Sequence, residues 1–329
     1  MGDNGKMKPF SRRSALAAAG TLILSGFSAA SHAADEKPLR IIVTVPPGNG
    51  TDVAARVLAK EMVRSGSQPV LVENRPGGNG IIAVQAVLNS PADGNTILFG
   101  SNSVMGSNAV MLKAPGYNPI TDFVPVGMVV QAYWVLVVAS DAPYQTLEDL
   151  VKAARQKPGQ LSSGDGTSSF QLSTSVFAKR AGIQINQVPY KGVSQAMQDL
   201  VGHNVNMVLA DLSTALPLIQ SGRVRAVASF GSKRFTQLAD VPTLKERGFE
   251  QTPLHSWAGF FVRAGTPSAD VKRLSALTEK AVQSQAYQKY VSDVMSEAVF
   301  MPPEQTTSFQ RGQIEEFRKA MVLVGMEPQ

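Results

Sequence analysis

Leu39-Arg40-Ile41-Ile42-Val43-Thr44-Val45-Pro46-Pro47-Gly48-Asn49-Gly50-Thr51-Asp52 is the stretch from which the fold is read. Leu39 to Val45 is apolar and β-branched, the composition of a buried strand, and Pro46-Pro47-Gly48-Asn49-Gly50 stops it. Thr51 or Asp52 then caps a helix in which Val53, Val57 and Leu58 recur at helical spacing. Working outward, Pro69 to Glu73 reads as a strand and Ile81 to Leu88 as a helix. Thr96 to Gly100 is a third strand, running into the polar loop Ser101-Asn102-Ser103. Strand and helix in alternation imply a mostly parallel sheet flanked by helices, with ligands beyond the carboxyl ends of the strands.

The pattern then repeats. After the apolar run Val124 to Ala139, Thr146 caps a helix over Leu147 to Lys157, and a short strand, Leu161-Ser162-Ser163, leads into Gly164-Asp165-Gly166-Thr167-Ser168-Ser169 and a helix. Strands over Ile185 to Tyr190, Val205 to Ala210 and Arg225 to Phe230 alternate with helices over Val193 to Val201 and Ser213 to Gln220. Ser256 to Val262 is strand-like, and the remainder to Gln329 is predominantly helical, returning to cover the first half. The expectation is two similar α/β lobes joined by a hinge: residues 34–135 with 253–329, and residues 136–252.

The N-terminus reads as an address. Basic residues ending in Arg12-Arg13 precede an apolar run from Ala15 to Phe27 and then small residues, and Ser31-His32-Ala33 fits cleavage after Ala33. The paired arginines fit the twin-arginine route, but Ser14-Ala15 stands where a strong hydrophobic residue usually follows, so the general secretory route stays open. The run is shorter than the ~20 apolar residues of a spanning helix, and the mature protein is expected to be soluble, in the periplasm. With 329 residues, 43% hydrophobic and 17% charged, the chain has the composition of a globular protein. Residues 1–33 hold +3 of the formal charge of +6, so the remainder is only mildly basic. It has no basic stripe interleaved with aromatics, so no nucleic-acid partner is expected. The absence of cysteine excludes disulfides, thiolate metal sites and thiol nucleophiles.

Catalytic chemistry finds little support. Only His203 and His255 follow residue 33, the first in a surface turn and the second beside Trp257 near the expected crossover. No nucleophile elbow, zinc-protease motif or phosphate-binding P-loop occurs. Gly48-Asn49-Gly50-Thr51-Asp52-Val53, with Glu73 about twenty residues on, imitates a dinucleotide fingerprint and leaves an exported nucleotide-dependent oxidoreductase as an alternative. Against it, Val53 is bulky where a small residue is needed, and Asp52 would set negative charge beside a pyrophosphate. The simpler reading is that the loop at Gly48 to Thr51 and the loop at Gly164 to Ser169 each place glycines and hydroxyls before a helix start, where free amides attract an anion. One loop in each lobe suggests two jaws closing on one carboxylate, with no enzyme activity, cofactor or metal.

Further segments have the same order and spacing as a known family. They are Pro46 to Asp52 with Ala55-Arg56, Val72-Glu73-Asn74-Arg75-Pro76-Gly77-Gly78, Pro91-Ala92-Asp93-Gly94, Val188-Pro189-Tyr190-Lys191-Gly192, Ala215-Leu216-Pro217, Asp240-Val241-Pro242-Thr243-Leu244 and Gly265-Thr266-Pro267. From Leu39 onward the chain resembles the Bug-type solute receptors of tripartite tricarboxylate transporters. The resemblance implies a periplasmic-binding-protein type II fold, two α/β lobes with a ligand cleft between them. It implies a monomer that captures a mono-, di- or tricarboxylic or aromatic acid and delivers it to membrane subunits of such a transporter; a receptor for a sensor kinase is the other reading. Ligand-binding residues carried over are Gly48, Asn49, Gly50, Thr51 and Asp52, Ser101 and Asn102, Thr167, Ser168 and Ser169, Tyr190, Lys191 and Asp211. Glu73 to Gly77 is taken as architectural, with Arg75 pairing with Glu73 or serving the transporter interface. Thr44-Val45, Asn49 and Tyr133-Trp134 depart from the family pattern. Tyr133, Trp134 and Trp257 are candidate specificity residues: an indole facing the cleft favours an aromatic or long apolar acid, and one facing the sheet packing sets nothing.

Overall fold

The structure, a computed structural model, describes residues 1–2, 37–66, 68–231, 234–235, 238–249, 255–294 and 296–329. All but the first two residues of the expected leader lie outside the described residues. From Pro38 onward the chain forms one unit built on two sheets. The first contains β1 (Leu39–Val43), β2 (Val70–Asn74), β3 (Thr96–Ser101), β4 (Phe123–Ala132), β10 (Ser256–Arg263) and β11 (Ser296–Met301), in the order β11-β4-β10-β3-β1-β2. The second contains β5 (Trp134–Ala139), β6 (Ser162–Asp165), β7 (Asn186–Pro189), β8 (Met207–Asp211) and β9 (Val224–Ser229), in the order β7-β6-β8-β5-β9.

The sheets share one plan. β2-β1-β3 and β7-β6-β8 are parallel triplets. Beside each triplet lies one antiparallel strand, β10 or β5, and it is the strand that has just crossed from the other sheet. The first crossing takes a single residue, Tyr133, between the end of β4 and the start of β5. The apolar run Val124 to Ala139 is therefore two strands in two sheets, a division hidden by the lack of glycine or proline at the break.

The parallel connections are helices: α1 (Gly50–Arg64) and α2 (Ile81–Leu88) in the first lobe, and α5 (Ser168–Ala181), α6 (Val193–Val201) and α7 (Leu212–Gln220) in the second. A π turn over Ser103–Ser107 leads into the short α3 (Asn108–Met111). α4 (Leu147–Gln156) starts with a capping box between Thr146 and Asp149. For α1 the cap is Asn49 rather than Thr51 or Asp52, its side chain accepting the Thr51 N–H.

The C-terminal third departs from the expectation in two ways. α8 (Ser268–Gln283) and α9 (Gln285–Asp293) do cover the first sheet, burying Leu274, Ala281, Val282, Tyr287 and Val291 against Ile41, Val43, Phe99 and Phe260. β11, however, is a strand in a stretch read as helical; it sits at the sheet edge, only half buried, so its apolar pattern is weak. α10 (Pro303–Val324) serves both lobes. Its Thr306 hydroxyl accepts the Met128 amide of β4, while Ile314, Phe317 and Met321 join the core of the second lobe.

Candidate functional site

The first turns of four helices line one cleft between the sheets. Asn49, Gly50 and Thr51 come from α1, Thr167 and Ser169 from α5, Gly192 and Val193 from α6, and Asp211 and Ser213 from α7. Ser101, Asn102 and Ser103, after β3, complete the polar lining, with Ser256, Tyr290 and Ser296 behind. Counted out to its open mouth, solvent at the entrance included, the cleft spans about 780 Å³. A strand's carboxyl end feeds each of these helices, and first-turn amides have no intrahelical acceptor, so the topology itself directs N–H groups to this place.

Two amides are already taken. Asn49 Oδ1 accepts the Thr51 N–H at 3.1 Å and the Thr167 hydroxyl accepts that of Phe170 at 3.4 Å. Among the described lining residues there is no lysine, arginine or histidine, and Asp211 is the one carboxylate. Burial pushes the Asp211 pKa up to about 6, partly offset by the Ser256 hydroxyl and the Trp134 indole. Its Oδ1 is buried without a hydrogen-bond partner, and it leaves α7 without a side-chain cap.

The two lobes touch closely here. A methyl group at Gly50 would stand 2.3 Å from Ser213 Oγ and 3.2 Å from its Cβ, so only glycine lets α1 and α7 approach this far. Tyr290 of α9 fixes the same loop by donating to the Gly50 carbonyl at 3.0 Å. Beside the cleft runs a buried seam of small polar groups. Ser168 Oγ meets Ser107 Oγ and Asn108 Oδ1, both at 2.7 Å, and Ser169 Oγ meets Ser103 at 3.1 Å and Ser107 at 3.0 Å.

With this geometry in place, comparison with known proteins is decisive. Residues 54–324 match the profile of the tripartite tricarboxylate transporter family receptor. The chain belongs to that family. It is 33% identical over 300 residues to BugT of Bordetella pertussis, covering 89% of this chain and 92% of the relative. A protein encoded in the tcbD-tcbE intergenic region of Pseudomonas sp. strain P51 is 34% identical over 293 residues, covering 87% and 86%. Among solved structures, Rpa4515 of R. palustris with adipate superposes with a TM-score of 0.85 at 28% identity over 89% of this chain and 98% of that one. The periplasmic binding protein BugD gives 0.84 at 27%, over 90% and 100%. The fold is thus that of the two-lobed periplasmic binding proteins, and the family is one of transporter-associated solute receptors, not of enzymes.

Several expected site residues of this receptor are engaged elsewhere. Asp52 is buried and receives the Gly48 amide, the Arg56 guanidinium and the Asn74 amide. Burial works to raise its pKa, but these bonds outweigh it and hold the carboxyl below the usual range. Its role is to fasten the loop to α1 and β2, and Gly48 shares that role rather than lining the cleft. Ser168 is spent in the seam. Tyr190 donates to Asp199 at 2.7 Å and, with the exposed Lys191, lines a neighbouring hollow. Glu73 binds Arg40 at 2.6 Å and Arg75 at 3.2 Å, which gives the imitation fingerprint an architectural carboxylate.

The aromatic residues divide similarly. Trp134 is fully buried against Phe170 at 5.3 Å and donates to Ser256 Oγ at 2.8 Å, so it forms packed floor beneath the cleft. Trp257 also lines the cleft but is buried against Phe309. Tyr133, at the crossing, packs against Phe235 and His255 and is not among the lining residues described. His203 lies in an exposed turn near Asp141. Sequence reading missed Ser103, Ser213, Ser256, Tyr290 and Ser296. A serine after the Asp211 N-cap repeats the hydroxyl-at-helix-start signal and could have been found; Tyr290 and Ser296 arrive from a distant return segment with no local mark.

Proposed function

We propose that this chain is an exported periplasmic receptor that closes its two lobes around a small carboxylate and delivers it to the membrane subunits of a tripartite tricarboxylate-type transporter. One observation supports it above the others: four helix entrances, one from the first lobe and three from the second, line a cleft with no cationic side chain among its described residues. Oriented peptide dipoles favour an anion there, and excluding water on closure strengthens every such contact. The adipate complex of the R. palustris relative points to the same ligand chemistry.

The contacts proposed are the Gly50 and Ser169 amides together with the side chains of Asn49, Thr51, Ser101, Asn102 and Thr167. Residues 1–33 act as the cleaved leader, and the mature receptor works as a monomer that pivots about the Ser107–Ser168 seam. Thermal melting of the mature protein against aliphatic and aromatic acids tests this reading. A ligand at about 100 times its Kd adds about 2.7 kcal/mol. A panel in which every acid is inert, while a sugar or an amine stabilises, would overturn it.

A further inference from the structure

Asp211 is out of place in a cleft built to hold an anion, and this mismatch identifies what else the solute must bring. As an aspartate at an N-cap it would ordinarily bond the amides of its own first turn, yet it makes no such bond. One of its oxygens is buried without a partner, and the Thr214 hydroxyl, one turn position on, is buried without one too. Ser213 and Thr214 amides, at the start of α7, therefore stay free of the Asp211 carboxylate. A single short segment offers N–H donors for an anion and, next to them, an unsatisfied anionic acceptor. An ionised carboxylate facing a bare dicarboxylate would repel it. Burial raises the Asp211 pKa to about 6.

We propose that Asp211 is a specificity-determining residue that selects acids carrying a hydrogen-bond donor beside the carboxylate, an α-ammonium ahead of an α-hydroxyl, over unsubstituted acids. The donor bonds the Asp211 carboxylate while the acid group takes the helix amides. This rests on the carboxylate-receptor reading above and narrows it.

The test is titration calorimetry at pH 7.5 with matched probes: aspartate, malate and succinate; glutamate and glutarate; phenylalanine and 3-phenylpropionate; with adipate and benzoate as unsubstituted acids of other shapes. The expected result is that in at least one series the ammonium-bearing member binds about ten- to a hundredfold more tightly than its unsubstituted counterpart, the ratio of a charge-assisted hydrogen bond. In Asp211→Asn that ratio collapses to within about threefold, through loss of affinity for the ammonium-bearing acid. If Asp211→Asn does not fold, the wild-type ratios decide alone. Unsubstituted acids binding as tightly as their substituted partners, or a preference that survives in Asp211→Asn, overturns the role of Asp211 and leaves the carboxylate reading standing. If no acid of any kind binds, the carboxylate reading fails and this inference falls with it.

Discussion

Gly50→Ala separates lobe closure from folding. The added methyl would stand 2.3 Å from Ser213 Oγ and 3.2 Å from Ser213 Cβ. The first distance is far inside van der Waals contact. Rotating the serine hydroxyl relieves it at a cost of about 0.5–1.5 kcal/mol, but the second contact remains and is set by the backbone of α7. Overpacking of this kind costs about 1–3 kcal/mol, and it falls only on the state in which the lobes are together. In the separated state alanine is a better helix former than glycine, by up to about 1 kcal/mol. The two effects have opposite signs: the ligand-free melting point holds or rises, while affinity for the stabilising acid falls about 5- to 150-fold. Isothermal titration beside differential scanning calorimetry reads both. Placing Gly50→Ala on a Ser213→Gly background removes the obstructing atoms, so there the same substitution should cost less than about threefold, a coupling that a double-mutant cycle isolates. Unchanged affinity, or a loss that persists on the Ser213→Gly background, would show that α1 and α7 do not meet when ligand is held.

Other substitutions probe the scaffold. Gly166→Ala would set a methyl 2.3 Å from the Val193 amide nitrogen and 2.7 Å from the Gly192 carbonyl carbon, backbone that cannot rotate away; it should lower the ligand-free melting point by about 5–10 °C, and a value within 2 °C, roughly the size of a surface change, would contradict the packing. Ser168→Ala strips a partner from Ser107 and Asn108 in the buried seam and should cost about 1–3 kcal/mol in denaturant unfolding. Asp165 is buried with one oxygen unpartnered, and burial raises its pKa to about 7 against the hydrogen bonds of Ser163 and Thr174. A carboxyl raised in this way lends stability that is complete below about pH 4 and lost as pH climbs through 7, up to about 4 kcal/mol. Asp211 has the same sign. Asp165→Asn should therefore flatten about half or more of the fall in stability between pH 4 and 8; an unaltered slope would mean that Asp165 titrates normally.

The repeating strand–helix order was legible because most of the parallel strands are closed by glycine or proline, as at Val43 to Gly50 and Ser162 to Gly166, and those of the first lobe are short apolar runs. The loops that line the cleft followed from the pairing: glycine and hydroxyl residues before one helix are ordinary capping chemistry, but one such loop in each lobe pointed to a shared site. What escaped was set by distance. The crossing at Tyr133 leaves no composition signal because both flanking strands are buried. β11 is an edge strand whose partner, β4, lies more than 160 residues earlier. Asp52, Ser168 and Tyr190 have the residue types of ligand contacts, but Arg56 and Asn74, Ser107 and Asn108, and Asp199 claim them. Such competition is decided by partners from other elements, which no local pattern displays.

A cleft furnished with peptide amides in place of lysine or arginine has an environmental consequence. Mobile surface cations surrender their grip to dissolved ions, but dipoles fixed in the ends of helices and shut away from solvent are screened far less. Backbone amides also keep their protons across any habitable acidity. Affinity for an acid held by such a cleft should therefore change little between low and high salt, whereas a lysine- or arginine-lined site would weaken.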